Sequence, residues 1–486
     1  MRDLLPIARR GLLRGMVAAA AGLLARSRAR AQADADALLT VDDRDAGRPI
    51  APGFVGLSYE SSILAAGDYF TPDNASVIGL IRRLGRNGVL RIGGNTSERT
   101  IWRAEAAPAA PAAPGSFVIT PASIDRLAAT LRIVGWKLVY GLNLARGTPE
   151  EAAAEAAYVA RAVGDDLIAF QIGNEPDGFG RWTAVRPQSY DVAAYLAEWR
   201  AFHAAVRARV PDARFAGPDV AAATDWVGAF AAARPEGLVL LTRHYYADGP
   251  SGAPHVSLEK LLRSGGQIAP VLDELARIGR THGLPWRIIE TNSIYDEGQS
   301  GVSDTLGAAL WGLELMFQAA AAGAAGVNFH AGVHNRRPAD DKAYTPIARG
   351  EAGRYRARPL YYAMLMFALA ARGALVPARL ASDTHALAAF AVRALDGSLR
   401  VCLINKDFAR GARVRIDAGR SLAAASVMRL VGPSVDATSG ITLGGASVDD
   451  FGGWAPVVHD ESRATAMSEV VVQVPAASAA LVSLRG

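Results

Sequence analysis

Two glutamates stand out by what precedes them. The apolar run from Leu167 to Ile172 leads into Gly173-Asn174-Glu175-Pro176-Asp177, and Trp286-Arg287-Ile288-Ile289 leads into Glu290. Each reads as a buried strand delivering a carboxylate at its C-terminal end, the face on which barrel enzymes assemble their sites. Two carboxyl groups over one cavity meet the needs of glycosidic bond cleavage. One stays protonated for the leaving oxygen, and the other is ionised and attacks the anomeric carbon or activates water. Mutual repulsion raises the acid until a glycosyl-enzyme removes its partner's charge. A carboxyl separation of about 5 Å implies retention, and one of about 6.5–9.5 Å implies inversion. A lone glutamate after an apolar strand is more often a salt-bridge partner, but two at matched spacing reverse that preference. Pro176 disfavours helical dihedrals at Glu175 and predicts an extended conformation there. Asn174 supplies an amide for a substrate hydroxyl.

Residues 53–350 carry the elements that must position this pair, short apolar runs alternating with Ala-rich helical stretches. Eight strands are predicted: Phe54 to Ser58, Val89 to Ile92, Leu138 to Leu144, Leu167 to Ile172, Arg214 to Ala216, Leu238 to Tyr245, Trp286 to Ile289 and Gly326 to Phe329. Helices are expected over Thr71 to Leu84, Pro149 to Val163, Ser189 to Ala208 and Leu306 to Ala322. Thr71-Pro72 and Thr148-Pro149 pair a cap with a first-turn proline, and Glu150 and Glu151 suit the amide end of their helix. A closed barrel of eight units needs about 37 residues per unit over this span. Glu175 and Glu290, 115 residues apart, then fall at strands four and seven. An open dinucleotide-binding sheet would need an early glycine-rich phosphate turn, and Arg91-Ile92-Gly93-Gly94-Asn95 lacks that spacing.

The chain of 486 residues is 50% hydrophobic and 20% charged, excluding disordered and fibrous classes. Its net charge of +5 comes from the first 31 residues, which hold seven Arg and one Asp. The remainder is near neutral, so no nucleic-acid partner is expected. Arg9-Arg10 ahead of the apolar run Gly15 to Ala25, with Ala29-Arg30-Ala31 beyond, reads as a twin-arginine-like signal peptide over 1–31. A mature start near Gln32, export to the periplasm or medium and no stable membrane insertion after its removal follow as expectations. The Ala/Pro stretch Ala104 to Gly115 reads as a surface loop. Residues 32–50 read as a segment joining a terminal β domain through Leu38 to Val41, 51–358 as the catalytic barrel, and 359–486 as a last barrel helix followed by an antiparallel β-sandwich. That tail alternates in short runs with Asp396-Gly397 turns. The single Cys402 excludes an internal disulfide framework. His244, His330 and His334 suit hydrogen bonding to substrate or a catalytic Glu better than metal binding, so no metal and no cofactor are expected.

Gly173-Asn174-Glu175-Pro176 resembles the Asn-Glu-Pro motif of the retaining glycosidase clan with (β/α)8 barrels. Gly56-Leu57-Ser58-Tyr59-Glu60, Leu90-Arg91-Ile92-Gly93-Gly94-Asn95, Phe170 to Pro176, His244-Tyr245-Tyr246 and Ile289-Glu290-Thr291-Asn292-Ser293, in this order, resemble the heparanase and β-glucuronidase family (family 79) over about residues 50–335. The resemblance implies Glu175 as acid/base and Glu290 as nucleophile of a double displacement. It places Glu60 and Asn174 at sugar hydroxyls, and Tyr245 or Tyr246 near the nucleophile according to register. Tyr295 with the Gly298 loop would receive the uronic carboxylate through a hydroxyl and backbone amides.

The chain departs from the family's mammalian endo-acting members, which carry an excised linker after strand two and basic clusters for heparan sulfate. Only four Lys are present: Lys137, Lys260, Lys342 and Lys406. Arg349, Arg354, Arg356 and Arg358 read as a solvated face rather than a polyanion patch. The expected partner is a glucuronic-acid-containing carbohydrate. The alternatives are a clan relative for neutral β-glucosides or xylosides and a catalytically silent glycan-binding protein.

Overall fold

The computed structural model describes residues 36–104, 114–333, 340–384, 386–457 and 459–486. The 1–31 signal, most of the Ala/Pro stretch and His334 lie outside them. Eight parallel strands close into a barrel: β1 (Val55–Glu60), β2 (Val89–Gly93), β3 (Lys137–Leu142), β4 (Leu167–Ile172), β5 (Phe215–Val220), β6 (Leu238–Asp248), β7 (Trp286–Ile294) and β8 (Val327–Ala331). Closure comes from β8 lying parallel to β1 in the register Val327 to Val55. Helices cover the outside, so β1, β2, β5, β7 and β8 are buried along their whole length. Toward the strand N-termini the barrel is filled by Val89, Val139, Ala169, Ala216, Leu240 and Ile289. One to four residues further along, five of the same strands present Arg91, Gln171, Asp219, Thr242, His244 and Glu290, all buried. The interior thus changes from hydrocarbon to charge toward the end where barrel enzymes carry their chemistry.

Helices Pro149–Val163 and Leu306–Ala322 have the expected bounds. Thr148 and Glu151 form a reciprocal capping box on the first, and Gly323 in a left-handed conformation ends the second. The helix expected from Thr71 runs instead over Ala75–Arg83, because the Asn74 side chain takes the capping role by accepting from the Val77 N–H. The helix expected over Ser189 to Ala208 runs over Val192–Arg209, capped by Asp191. Strand five extends past Ala216 to Val220. Strand seven does not end at Glu290 but continues to Ile294.

Pro359–Ala370 forms a helix packed against Leu306–Ala322, and a ten-stranded sheet follows with its own core around Leu39, Val401, Val414, Val472 and Val482. This sheet is mixed rather than purely antiparallel. The strand Ala37–Val41 lies antiparallel to Ala378–Ser382 but parallel to Ala412–Val431. Among the described residues, no helix is long and apolar enough to cross a membrane.

A buried ion pair joins the sheet to the barrel: the Lys406 ammonium lies 2.6 Å from the Glu314 carboxylate, and both side chains are over nine-tenths buried. Removing one partner leaves the other's charge stranded. Glu314→Ala is expected to destabilise the protein by about 3–5 kcal/mol, whereas Glu314→Leu with Lys406→Met recovers most of this. Urea unfolding of the single and double variants measures both.

Candidate active site

Glu290 reaches the cavity through a β-bulge. Opposite β6, Arg243 pairs with Ile288 and His244 with Glu290, so Ile289 is the extra residue. Two consecutive side chains then serve the barrel interior: Ile289 fills the hydrocarbon layer, and Glu290 enters the polar one. One Glu290 oxygen accepts from Arg91 Nη1 at 2.6 Å, and the other accepts from the Tyr246 hydroxyl at 2.8 Å.

Glu175 follows β4 in the left-handed region, with φ 50° and ψ 49°, not in the extended conformation that Pro176 predicts. The Glu175 N–H donates to the Asp219 carbonyl at 2.9 Å, and the Glu175 carbonyl accepts from the Gly178 N–H at 2.8 Å. These two bonds hold a turn that costs about 1–2 kcal/mol for a residue with a Cβ. Behind it, buried Glu98 accepts from the backbone N–H groups of Asn174 at 2.5 Å and Ala145 at 2.6 Å. Burial pushes Glu98 up to about 7 against these donors.

His244 joins the two halves of the site. Its Nδ1 lies 3.0 Å from Glu175 Oε1 and 3.9 Å from Glu290 Oε1, while Nε2 lies 3.0 Å from Asp219 Oδ1. Arg91, wholly buried, donates from Nη2 to Asp219 at 2.6 Å and to Asn174 Oδ1 at 2.7 Å. Burial opposes the charge of His244, but the carboxylates of Glu290 and Asp219 outweigh it and hold the imidazole protonated up to about 10. Burial would also raise Glu290, yet His330, His244 and Arg91 together bring it down to about 2. Glu175 moves the other way: burial raises it, His244 only partly offsets this, and Glu290 and Asp177 raise it further. The two carboxyl groups are thereby shifted in opposite directions, Glu290 down and Glu175 up.

On the far side of Glu290, buried Glu60 accepts from the Thr96 N–H and hydroxyl, both at 2.8 Å, and lies 3.3 Å from the Lys342 ammonium. His330 stands between this group and Glu290, with Nδ1 3.0 Å from Ser58 Oγ and 3.5 Å from Glu290 Oε2. The register of β6 turns Tyr246 inward onto Glu290. Tyr245 instead has its carbonyl bound by the Thr291 hydroxyl. Tyr295 sits at the rim, 45% exposed, its ring against Gly249. Gly298, at φ 81°, packs so closely on Tyr344 that a Cβ would lie 2.8 Å from the Tyr344 nitrogen. Trp182, 53% exposed, covers Gly178 beside the Glu175 turn, whereas Trp311 is core.

Glu175, His244 and Glu290 each offer an atom within 4.8 Å of the others, a spacing a cation could use. Both His244 nitrogens, however, face carboxylates, and a protonated imidazole has no lone pair for a metal. Arg91 adds a further fixed positive charge to the cluster.

Residues 389–481 match the glycosyl hydrolase family 79 C-terminal beta domain. Over 411 residues the chain is 26% identical to a β-glucuronidase of Aspergillus niger, spanning 74% of this chain and 73% of that one. A β-glucuronidase of Neurospora crassa is 26% identical over 355 residues, 65% of this chain and 62% of that one. The crystal structure of a 4-O-α-L-rhamnosyl-β-D-glucuronidase from Fusarium oxysporum superimposes with a TM-score of 0.73 at 20% identity, covering 92% of this chain and all of that one.

The sequence places the two glutamates after apolar strands, and the structure brings them together, but the sequence gives no role to Arg91, Asp219, Lys342 or Tyr344. A signal was present for the first two, each a lone charge inside an apolar strand, Val-Leu-Arg-Ile-Gly and Phe-Ala-Gly-Pro-Asp-Val. Such a charge must find a buried partner. The Arg run was misread in part: Arg358 donates to the carbonyls of Lys342 and Ala343 instead of facing solvent.

Proposed function

We propose that this protein is a retaining β-glucuronidase that hydrolyses β-linked glucuronosides by double displacement. The observation that carries this reading is the pair of glutamates, Glu290 buried and Glu175 partly buried, bridged by His244 with facing atoms within 4.8 Å and shifted in opposite directions. This closeness suits direct attack on the anomeric carbon better than attack through an interposed water. Glu290 is the nucleophile, with Tyr246 and Arg91 orienting its two oxygens. Glu175 protonates the leaving oxygen and then activates water once the glycosyl-enzyme has removed the Glu290 charge. Asn174 and Glu60 are proposed to meet sugar hydroxyls. The β-glucuronidase names of the fungal relatives support glucuronic acid as the sugar. Tyr295 and the Gly298 loop are proposed to meet its carboxylate, Tyr295 turning inward from its exposed position as substrate enters. The Arg-rich leader carries a further proposal of export.

Hydrolysis of a chromogenic β-glucuronide beside the matching β-glucoside tests the reading. Turnover of the glucuronide at least about 100-fold faster in kcat/KM is expected, equivalent to about 2.7 kcal/mol of transition-state discrimination. Equal rates, or a faster glucoside, would transfer the site to neutral glycosides. No turnover of either by folded protein would make it a glycan-binding module.

A further inference from the structure

Lys342 is one of only four lysines in the chain, and it is 1% exposed. It belongs to the loop after β8, where its place is fixed by backbone bonds. Its N–H donates to the Gly332 carbonyl at 2.9 Å, and its own carbonyl accepts from the Thr345 N–H at 3.0 Å and from Arg358 Nη1 at 3.3 Å. The ammonium lies 2.8 Å from His330 Nε2 and 3.3 Å from Glu60 Oε1. An ammonium has protons to give and no lone pair, so the ring nitrogen it meets at 2.8 Å is the acceptor, the shorter contact prevailing over Glu60 Oε1, which lies 3.4 Å from the same Nε2. The one proton of a neutral imidazole then sits on Nδ1, the nitrogen facing Ser58 Oγ at 3.0 Å and Glu290 Oε2 at 3.5 Å.

We propose that Lys342 is a positioning residue that locks His330 as the neutral Nδ1–H tautomer, so that the nucleophile Glu290 is met by an N–H dipole rather than by a second imidazolium. The inference rests on the reading of Glu290 as nucleophile. It is chemically consequential because Glu290 already faces two full cations, Arg91 at 2.6 Å and His244 at 3.9 Å. A third would hold its electron pair too firmly for attack on the anomeric carbon, since nucleophilicity falls as a carboxylate is stabilised. The charged and titratable groups facing His330 are Glu60 from β1, Arg91 through Ser58 from β2, Glu290 from β7, and Lys342 and Tyr344 from the loop after β8. Two of these are carboxylates that would draw a second proton onto the ring. Burial and the Lys342 charge oppose it and keep His330 below its ordinary range.

Long-range nitrogen–proton NMR of the full-length protein labelled at histidine nitrogen, together with pH profiles of Lys342→Met and Lys342→Arg, tests this. In the wild type, His330 should show a protonated Nδ1 and a bare Nε2 from pH 5 to 8. In Lys342→Met the ring is free to take its second proton. The acid limb of kcat/KM on a chromogenic β-glucuronide should then rise by about one pH unit or more, giving about a tenfold loss at pH 5 and less than about threefold at pH 8. Lys342→Arg, which keeps a donor-only cation, should follow the wild type. A protonated Nε2 in the wild type overturns the proposal, as does a Lys342→Met profile that keeps the wild-type shape or is merely scaled down equally at every pH. The wild-type spectrum decides the tautomer even if the Met variant does not fold. It also does so without turnover, so absence of glucuronidase activity would count against the nucleophile reading and leave the tautomer result standing.

Discussion

Glu290→Ala is expected to lower turnover of an activated β-glucuronide by on the order of 10⁵-fold while leaving the fold intact. The size follows from what the variant removes under the proposed double displacement, namely the atom that would form the bond to the anomeric carbon. The fold survives because Arg91, which loses one carboxylate, keeps Asp219 at 2.6 Å and Asn174 at 2.7 Å. The truncated side chain leaves room for a small anion beside Arg91 and Tyr246. Added azide should therefore restore part of the rate and yield an α-glucuronosyl azide. Two further measurements separate a nucleophile from a general base. Wild-type hydrolysis followed by proton NMR should release the β-anomer before mutarotation. A 2-fluoro-β-glucuronosyl fluoride should leave its sugar on the peptide containing Glu290. First release of the α-anomer would mean that Glu290 activates water instead.

The reason these two glutamates were readable in the sequence is also why their setting was not. A carboxylate after an unbroken apolar run has few structural uses, and the 115-residue interval links the pair once a repeating β/α unit is recognised. Helix ends written in local chemistry were equally readable. Thr148 and Glu151 cap each other, and Gly323 stops its helix, so both helices have the bounds their residues dictate. Where two local signals compete, one position can displace the other, as Asn74 displaces Thr71 as the cap.

What escaped depends on contacts remote in sequence. The bulge at Ile289 is a mismatch between β6 and β7 and leaves no mark in either strand alone. The proline rule fails at Glu175 because the Asp219 carbonyl, 44 residues away, accepts from its N–H and over-determines the turn. Arg91 and Asp219 looked like any lone charges in apolar strands until the barrel register brought them together. Lys342 lies in a loop whose register the sequence does not define. The same remoteness builds the network: cations from β2 and β6 converge on Glu290 and lower it, while burial and the Glu290 charge raise Glu175.

Glu175→Gln should separate the two chemical steps. Gln keeps an acceptor for His244 Nδ1, which lies 3.0 Å from Glu175, so the variant should fold and retain the bridge to Asp219. It has no proton to give and no charge with which to activate water. Glycosides with poor leaving groups should lose about 10²–10⁴-fold in kcat/KM, whereas an activated nitrophenyl glucuronide, whose departure needs little protonation, should lose far less. For the activated substrate, water attack becomes limiting, the glycosyl-enzyme accumulates, and azide should intercept it to give the β-azide, opposite in configuration to the Glu290→Ala product. The pH profile supplies an independent check of sign. Glu175 is held above its ordinary value by burial and the Glu290 charge, and the protonated form is the one that acts first. Wild-type kcat/KM should therefore fall as pH rises through that elevated value, and this limb should vanish in the Gln variant because an amide does not titrate there. A basic limb that persists unchanged would assign the proton to another group, with His244, held up to about 10, the one in contact.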